Sequence, residues 1–150
     1  HDDSDLHVGI VVSRYNHRFT SKLLAGARLA LEEAGVLDNH IVVVSAPGSF
    51  EIPVLAKTMA ESARYDAVIC LGAVIKGETD HYEHVSVQAA QGIMRATLDT
   101  GIPITFGVLT TLTENQAEDR VGGEHGNAGY DAAKAALETA NAIRQIKNGN

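Results

Sequence analysis

The stretch "HVGIVVS", residues 7–13, is short, β-branched and almost continuously apolar. A strand with one wet face would alternate apolar and polar residues. An unbroken apolar run of this length reads instead as a strand buried on both faces, the habit of parallel sheets. The next segment agrees. In "TSKLLAGARLALEEAG" (20–35), Leu23, Leu24, Ala27 and Leu31 recur at helical spacing, with Thr20 placed to cap the start and Gly35 to end the helix.

The same alternation repeats along the chain. "IVVVS" (41–45) reads as a second strand, and "IPVLAKTMAESA" (52–63) as a helix with Pro53 in its first turn, where a missing N–H is tolerated. "DAVICLGAVI" (66–75) holds a third strand, followed by a long helix from about Thr79 to Leu98 that stops before Gly101. "PITFGVLT" (103–110) is the fourth strand and "TENQAEDR" (113–120) a short helix. "VGGEHGNAG" (121–129) is a glycine-rich break before the Ala-rich helix "YDAAKAALETANAIRQIK" (130–147). The expected fold class is therefore α/β: a three-layer αβα sandwich around a central four-stranded parallel sheet, in a flavodoxin-like arrangement.

Composition narrows the function. The 150 residues are 45% hydrophobic and 21% charged, ordinary for one globular domain. The net charge of −7 is the wrong sign for general binding to nucleic acid or anionic membranes. No stretch approaches the roughly 20 apolar residues of a membrane helix, and the polar opening "HDDSDLH" lacks a signal-peptide pattern. The lone Cys70 excludes an internal disulfide, sits in an apolar run as a buried inert thiol, and fits a reducing, cytoplasmic setting.

In parallel sheets ligands sit beyond the carboxyl ends of the strands. That rule selects four loops: "SRYN" (13–16), "APGSFE" (46–51), "GAVIKGET" (72–79) and "LTTLT" (109–113). The unusual residues cluster there. "GETDHYEHV" (77–85) has two readings with chemistry in them. His81 and His84 share a helical face, but HExxH order and a third ligand at metal spacing are lacking. Gly77 and Thr79 precede a helix start, whose outward N–H groups and dipole suit a phosphate, with Glu78 and Asp80 turned away. A purely structural cap is the plain alternative. His81 is placed to act as an acid–base near neutral pH. In "PGSFE", Phe50 and Glu51 offer a ring and a carboxylate to a flat, hydroxylated ligand, unless Phe50 simply plugs the core. Tyr15 and Phe106 supply further rings, and Arg120 a guanidinium able to clamp a phosphate. A signalling receiver would need an acidic cluster after the first strand, where this chain has Ser13 and Arg14.

Six blocks, "GIVVSRYN", "APGSFEIP", "CLGAVIKGETDHYEHV", "PITFGVLTT", "NQAEDR" and "GNAGYDAA", follow one another as in the lumazine synthase family, which the chain resembles over nearly its whole length. The resemblance implies a single domain of that family over 7–150, after a polar N-terminal tail over 1–6. It implies condensation of 5-amino-6-ribitylaminouracil with 3,4-dihydroxy-2-butanone 4-phosphate, using no metal or organic cofactor. The amine attacks the ketone, phosphate leaves, and the ring closes with loss of water. Holding two reactants in register supplies much of such catalysis.

By resemblance, Tyr15 takes the place of a Phe that stacks on the pyrimidine. Ser49, Phe50 and Glu51 bind the pyrimidine edge and ribityl chain, and Val74 and Ile75 form the backbone edge beside the heterocycle. Gly77, Glu78 and Thr79 hold the phosphate, and His81 transfers protons. Phe106 and Arg120 come from the neighbouring subunit, so the site is shared within a homo-oligomer. The family forms pentamers, and many members assemble twelve of them into a shell. The short break between Arg120 and Tyr130 resembles that of shell-forming members. The chain begins close to its first strand, where members usually carry a segment that joins the neighbour's sheet; its reduction here bears on the stability of the assembly, not on the fold. Two positions depart from the pattern. Ala128 stands where a lysine reaches the substrate, and Glu124 where a basic residue is common. Losing a charged hydrogen bond costs roughly 1.5–3 kcal/mol, about 10- to 150-fold in affinity. His125 is placed to compensate in part.

Overall fold

A computed structural model describes residues 2–78, 81–123 and 126–149. Its centre is β3 (Ala67–Ile75), every residue of which is buried, as a strand covered on both faces must be. β1 (Val8–Ser13) pairs with it on one side and β4 (Ile104–Thr111) on the other, while β2 (Ile41–Ala46) forms the edge beyond β1. The order β2-β1-β3-β4 is parallel throughout, with Val8 opposite Ile41 and Ala67, and Val68 opposite Ile104. The expected three-layer α/β class holds.

Strand alternation splits the core in two. Ile10, Ile69, Leu71 and Leu109 face one side, under α1 (His17–Glu33) and α5 (Ala128–Lys147). Val11, Val68, Cys70, Val74 and Val108 face the other, under α2 (Ile52–Glu61) and α3 (Tyr82–Thr100). Each fully buried Leu or Ile in these layers contributes about 1.5–3 kcal/mol relative to exposure. Burial pushes the Cys70 thiol well above its ordinary range, which makes it the inert packing residue expected. None of the described helices is long and apolar enough to cross a membrane.

Four local expectations change. α1 starts at His17, not after Thr20. Asn16, in the left-handed conformation (φ 61°), turns the chain directly out of β1, so the helix begins earlier and Thr20 is buried inside it with its hydroxyl unpartnered. α3 starts at Tyr82, because a 3-10 turn over Lys76–Glu78 intervenes after β3. The glycine-rich break carries a small antiparallel hairpin, β5 (Val121–Gly123) with β6 (Gly126–Asn127). α5 begins at Ala128 because Asn127 caps it, accepting from Gly129 N at 2.8 Å and Tyr130 N at 3.0 Å. The short helix α4 (Glu114–Asp119) is capped by Thr113, whose hydroxyl accepts from Gln116 N.

Ahead of β1 the chain packs back on the molecule. Leu6 is fully buried, Asp3 N donates to Ala34 O at 2.9 Å, and Asn141 Nδ2 donates to Asp3 Oδ1 at 3.1 Å.

Candidate active site

At the carboxyl ends of β1 and β3 the structure opens a cleft of about 340 Å³. Tyr15, Ser49, Phe50, Glu51, Val74, Ile75 and His81 all line it, with Gly48, Ala73 and Val85. The topology explains the place. β1 is followed by a connection to β2 on one side, and β3 by a connection to β4 on the other, so the sheet's crossovers diverge between β1 and β3 and leave a crevice.

Each wall has a local cause. Tyr15 stands at the corner after β1, where Arg14 N donates to Ala46 O (2.7 Å) and Tyr15 N to Pro47 O (3.2 Å). Its ring is exposed, as is that of Phe50 across the cleft, so Phe50 does not plug the core. Phe50 belongs to a 3-10 turn, Ser49–Glu51, that runs into α2 with Pro53 in the first turn. Ser49 is buried against β3, and the approach depends on Gly72: a Cβ there would meet the Ser49 hydroxyl at 2.5 Å. The turn thus rests on the sheet through a missing side chain, and Glu51, half-buried, follows it into the cleft.

β3 contributes its edge. Val68 N donates to Pro103 O on the β4 side, whereas the Ala73 carbonyl is met from the β1 side by Asn16 Nδ2 at 2.8 Å. Within β3, then, even-numbered residues turn their backbone groups towards β4 and odd-numbered ones towards β1. The chain of β1 has already bent towards β2 at Tyr15, so the backbone of Ile75 faces the cleft rather than a strand. An edge with one donor and one acceptor suits the edge of a planar heterocycle.

His81 precedes α3 as its N-cap residue, is exposed, and accepts Val85 N at its carbonyl (2.9 Å). Gly77 and Glu78 lie in the 3-10 turn between the β3 edge and His81, beside the residues that line the cleft. Thr79 and Asp80 lie outside the described residues, as do Glu124 and His125. No group of three or more potential metal ligands converges among the described residues.

Two expected site residues stand apart from this chain's own cleft. Phe106 is exposed in the middle of β4, on the face it shares with Ile104 and Val108. Arg120 is exposed beyond α4, its carbonyl accepting Ala128 N at 2.8 Å. α4 is moored to α1 by Glu118, which Arg18 Nη2 approaches at 2.7 Å and Lys22 Nζ at 3.3 Å. Lys22 above all, then Arg18, holds the Glu118 carboxyl below its usual range. Ala128, part-buried at the start of α5, keeps the backbone link to Arg120 but has no ammonium to offer.

A larger groove of about 580 Å³ runs along the surface where α1 and α5 meet. Its polar groups largely engage one another: Tyr130 donates to Glu33, Asn141 to Asp3, and Lys134 lies 5.8 Å from the Tyr130 ring centre. The smaller strand-end cleft, with its exposed rings, histidine and carboxylate, is the better place for chemistry.

Motif reading did not single out Gly48, Gly72, Ala73, Val85 or Asn16 as parts of the site. For Asn16 a signal existed: asparagine directly after a strand is the residue type that tolerates the left-handed turn.

A cleft at the switch point of a parallel α/β sheet, walled by aromatic rings and bearing one histidine and one carboxylate, is the kind of place where α/β proteins bind small molecules. Residues 5–144 match the family model of 6,7-dimethyl-8-ribityllumazine synthase. The chain belongs to that family, whose members are transferases of riboflavin biosynthesis acting on small molecules as homo-oligomers.

Proposed function

We propose that this protein condenses 5-amino-6-ribitylaminouracil with 3,4-dihydroxy-2-butanone 4-phosphate to give 6,7-dimethyl-8-ribityllumazine, phosphate and water. The observation that carries the reading is the convergence of Tyr15, Ser49–Glu51, Val74–Ile75 and His81 on one cleft from three separate parts of the chain. In this reading the pyrimidine stacks on Tyr15 and meets the backbone edge at Ile75. Glu51 accepts from ribityl hydroxyls. Gly77, Glu78 and Thr79 receive the phosphate, and His81 moves protons as the imine forms and the ring closes. Phe106 and Arg120 complete the site of a neighbouring subunit in a pentamer or a larger shell; their position away from this chain's own cleft supports that assignment. The protein works in the cytoplasm.

Mixing purified protein with both substrates should produce the lumazine chromophore well above the uncatalysed background. No acceleration at any protein concentration refutes the proposal.

One observation favours a second reading, a ligand-binding or shell-forming relative with little turnover: position 128 is alanine, beside Arg120. On that reading lumazine binds while turnover stays near background, and Ala128→Lys raises turnover by about 10- to 150-fold. A variant no faster than wild type removes this reading.

A further inference from the structure

Asn16 is in an unusual state for a residue that carries a Cβ. Its φ of 61° and ψ of 43° are left-handed, and although it occupies the cap position of α1 its side chain caps nothing there. Instead the amide reaches across to another strand and donates to Ala73 O at 2.8 Å, a contact 57 residues away in sequence. A left-handed asparagine costs backbone energy, so its persistence calls for compensation by the surroundings.

The sheet pattern shows what the bond replaces. β1 and β3 remain paired as far as Val12 and Leu71. One strand residue further along that edge, the chain of β1 has swung away, with Tyr15 N donating to Pro47 O. The Ala73 carbonyl would be the first acceptor on the β1 side of β3 without a strand beside it. The Asn16 amide takes that rung. A second tie stiffens the same corner: buried Ser13 donates through Oγ to Tyr15 O at 3.2 Å.

We infer that Asn16 is a positioning residue that locks the two walls of the cleft, the Tyr15 corner and the Ala73–Ile75 edge, into one register. A flat ring stacked on Tyr15 can meet the Ile75 backbone edge only if the spacing between them is held. Asn16 sets that spacing by bonding to β3 directly beside Tyr15 in sequence. This deepens the proposed function and rests on it: the substrate affected is the aminopyrimidine, not the phosphate-bearing ketone, whose loop at Gly77–Glu78 lies beyond the tie.

Two variants separate the roles. Asn16→Gly keeps the left-handed turn and removes the amide. Asn16→Asp keeps the shape and sets a carboxylate against a carbonyl. Both should raise the KM for 5-amino-6-ribitylaminouracil about tenfold or more, with the KM for the ketone phosphate within about twofold. Parallel rises in both KM values with a lowered melting temperature, or an unchanged pyrimidine KM in Asn16→Gly, overturn the inference. Amide hydrogen exchange supplies a readout that needs no substrate. In Asn16→Gly, peptides covering Tyr15 and Ala73–Ile75 should exchange about tenfold faster or more, while those from β2 and α5 keep their wild-type rates. Unchanged exchange at the cleft walls overturns the inference. Wild-type protein that fails to make lumazine, with faster exchange in the variant, instead refutes the functional reading and leaves the tie intact.

Discussion

His81 and Gly72 show two ways a single residue serves the site. His81 offers an exposed imidazole at the cleft mouth, its backbone set by the start of α3. If it moves protons between substrate atoms, His81→Ala should lower kcat by about 10²–10⁴-fold with little change in either KM. Steady-state kinetics with each substrate varied in turn checks this, and an unchanged kcat would mean that proximity does nearly all the work. Gly72 does not line the cleft; it matters because the Ser49 hydroxyl occupies the space a side chain would need. Both residues belong to the quoted motif "CLGAVIKGETDHYEHV", yet only the histidine is legible there as a functional residue. A histidine advertises its chemistry, whereas a glycine required for close approach looks like any other glycine until the neighbour is known.

Among the elements, the strands were the most legible. Their apolar runs are explained by burial on both faces, and β1, β2, β3 and β4 lie within a residue or so of the runs that announced them. Helix starts were less so, because each depends on a turn with its own chemistry. Asn16 moved the start of α1 forward, and the 3-10 turn at Lys76–Glu78 delayed that of α3. At α5 the deciding residue is Asn127, which caps the helix and also donates through Nδ2 to Lys22 O at 3.0 Å. Gly129 sits so close to α1 that a Cβ would lie 2.0 Å from Leu23 O. In the block "GNAG", the asparagine and second glycine thus dock α5 on α1, while Ala128 between them is the position without such a task. Asn127→Ala should cost about 1 kcal/mol, seen as a fall of about 2–4 °C in the thermal midpoint. A midpoint unchanged within about 0.5 °C would show that packing alone seats α5.

At the scale of the whole molecule, the cleft holds one set of expected site residues, and Phe106 and Arg120 stand elsewhere on the same chain. A shared site makes a quantitative prediction. His81→Ala and Arg120→Ala proteins, each nearly inactive, should regain activity when mixed under conditions that exchange subunits. Random assembly around a ring pairs the intact histidine of one chain with the intact arginine of the next at about one quarter of the sites. Activity near a quarter of wild type in the mixture supports the shared site. No recovery, with mixed oligomers verified by mass, means that one chain supplies both residues; an Arg120→Ala protein that is fully active by itself means that Arg120 has no part.

The sequence by itself determined the layered α/β class and the strands, since apolar periodicity records how each segment meets water. It also carried the family, through six blocks in order, and most residues of the cleft, since ligands gather where parallel strands end. Tertiary structure alone decided how those residues are held. Asn16 reaching Ala73, Gly72 yielding its space to Ser49, and the Asn127 contact with Lys22 are all pairings between distant parts of the chain. Local pattern reports burial and turning; which carbonyl an amide will find depends on strand order and register, and those exist only once the sheet has formed.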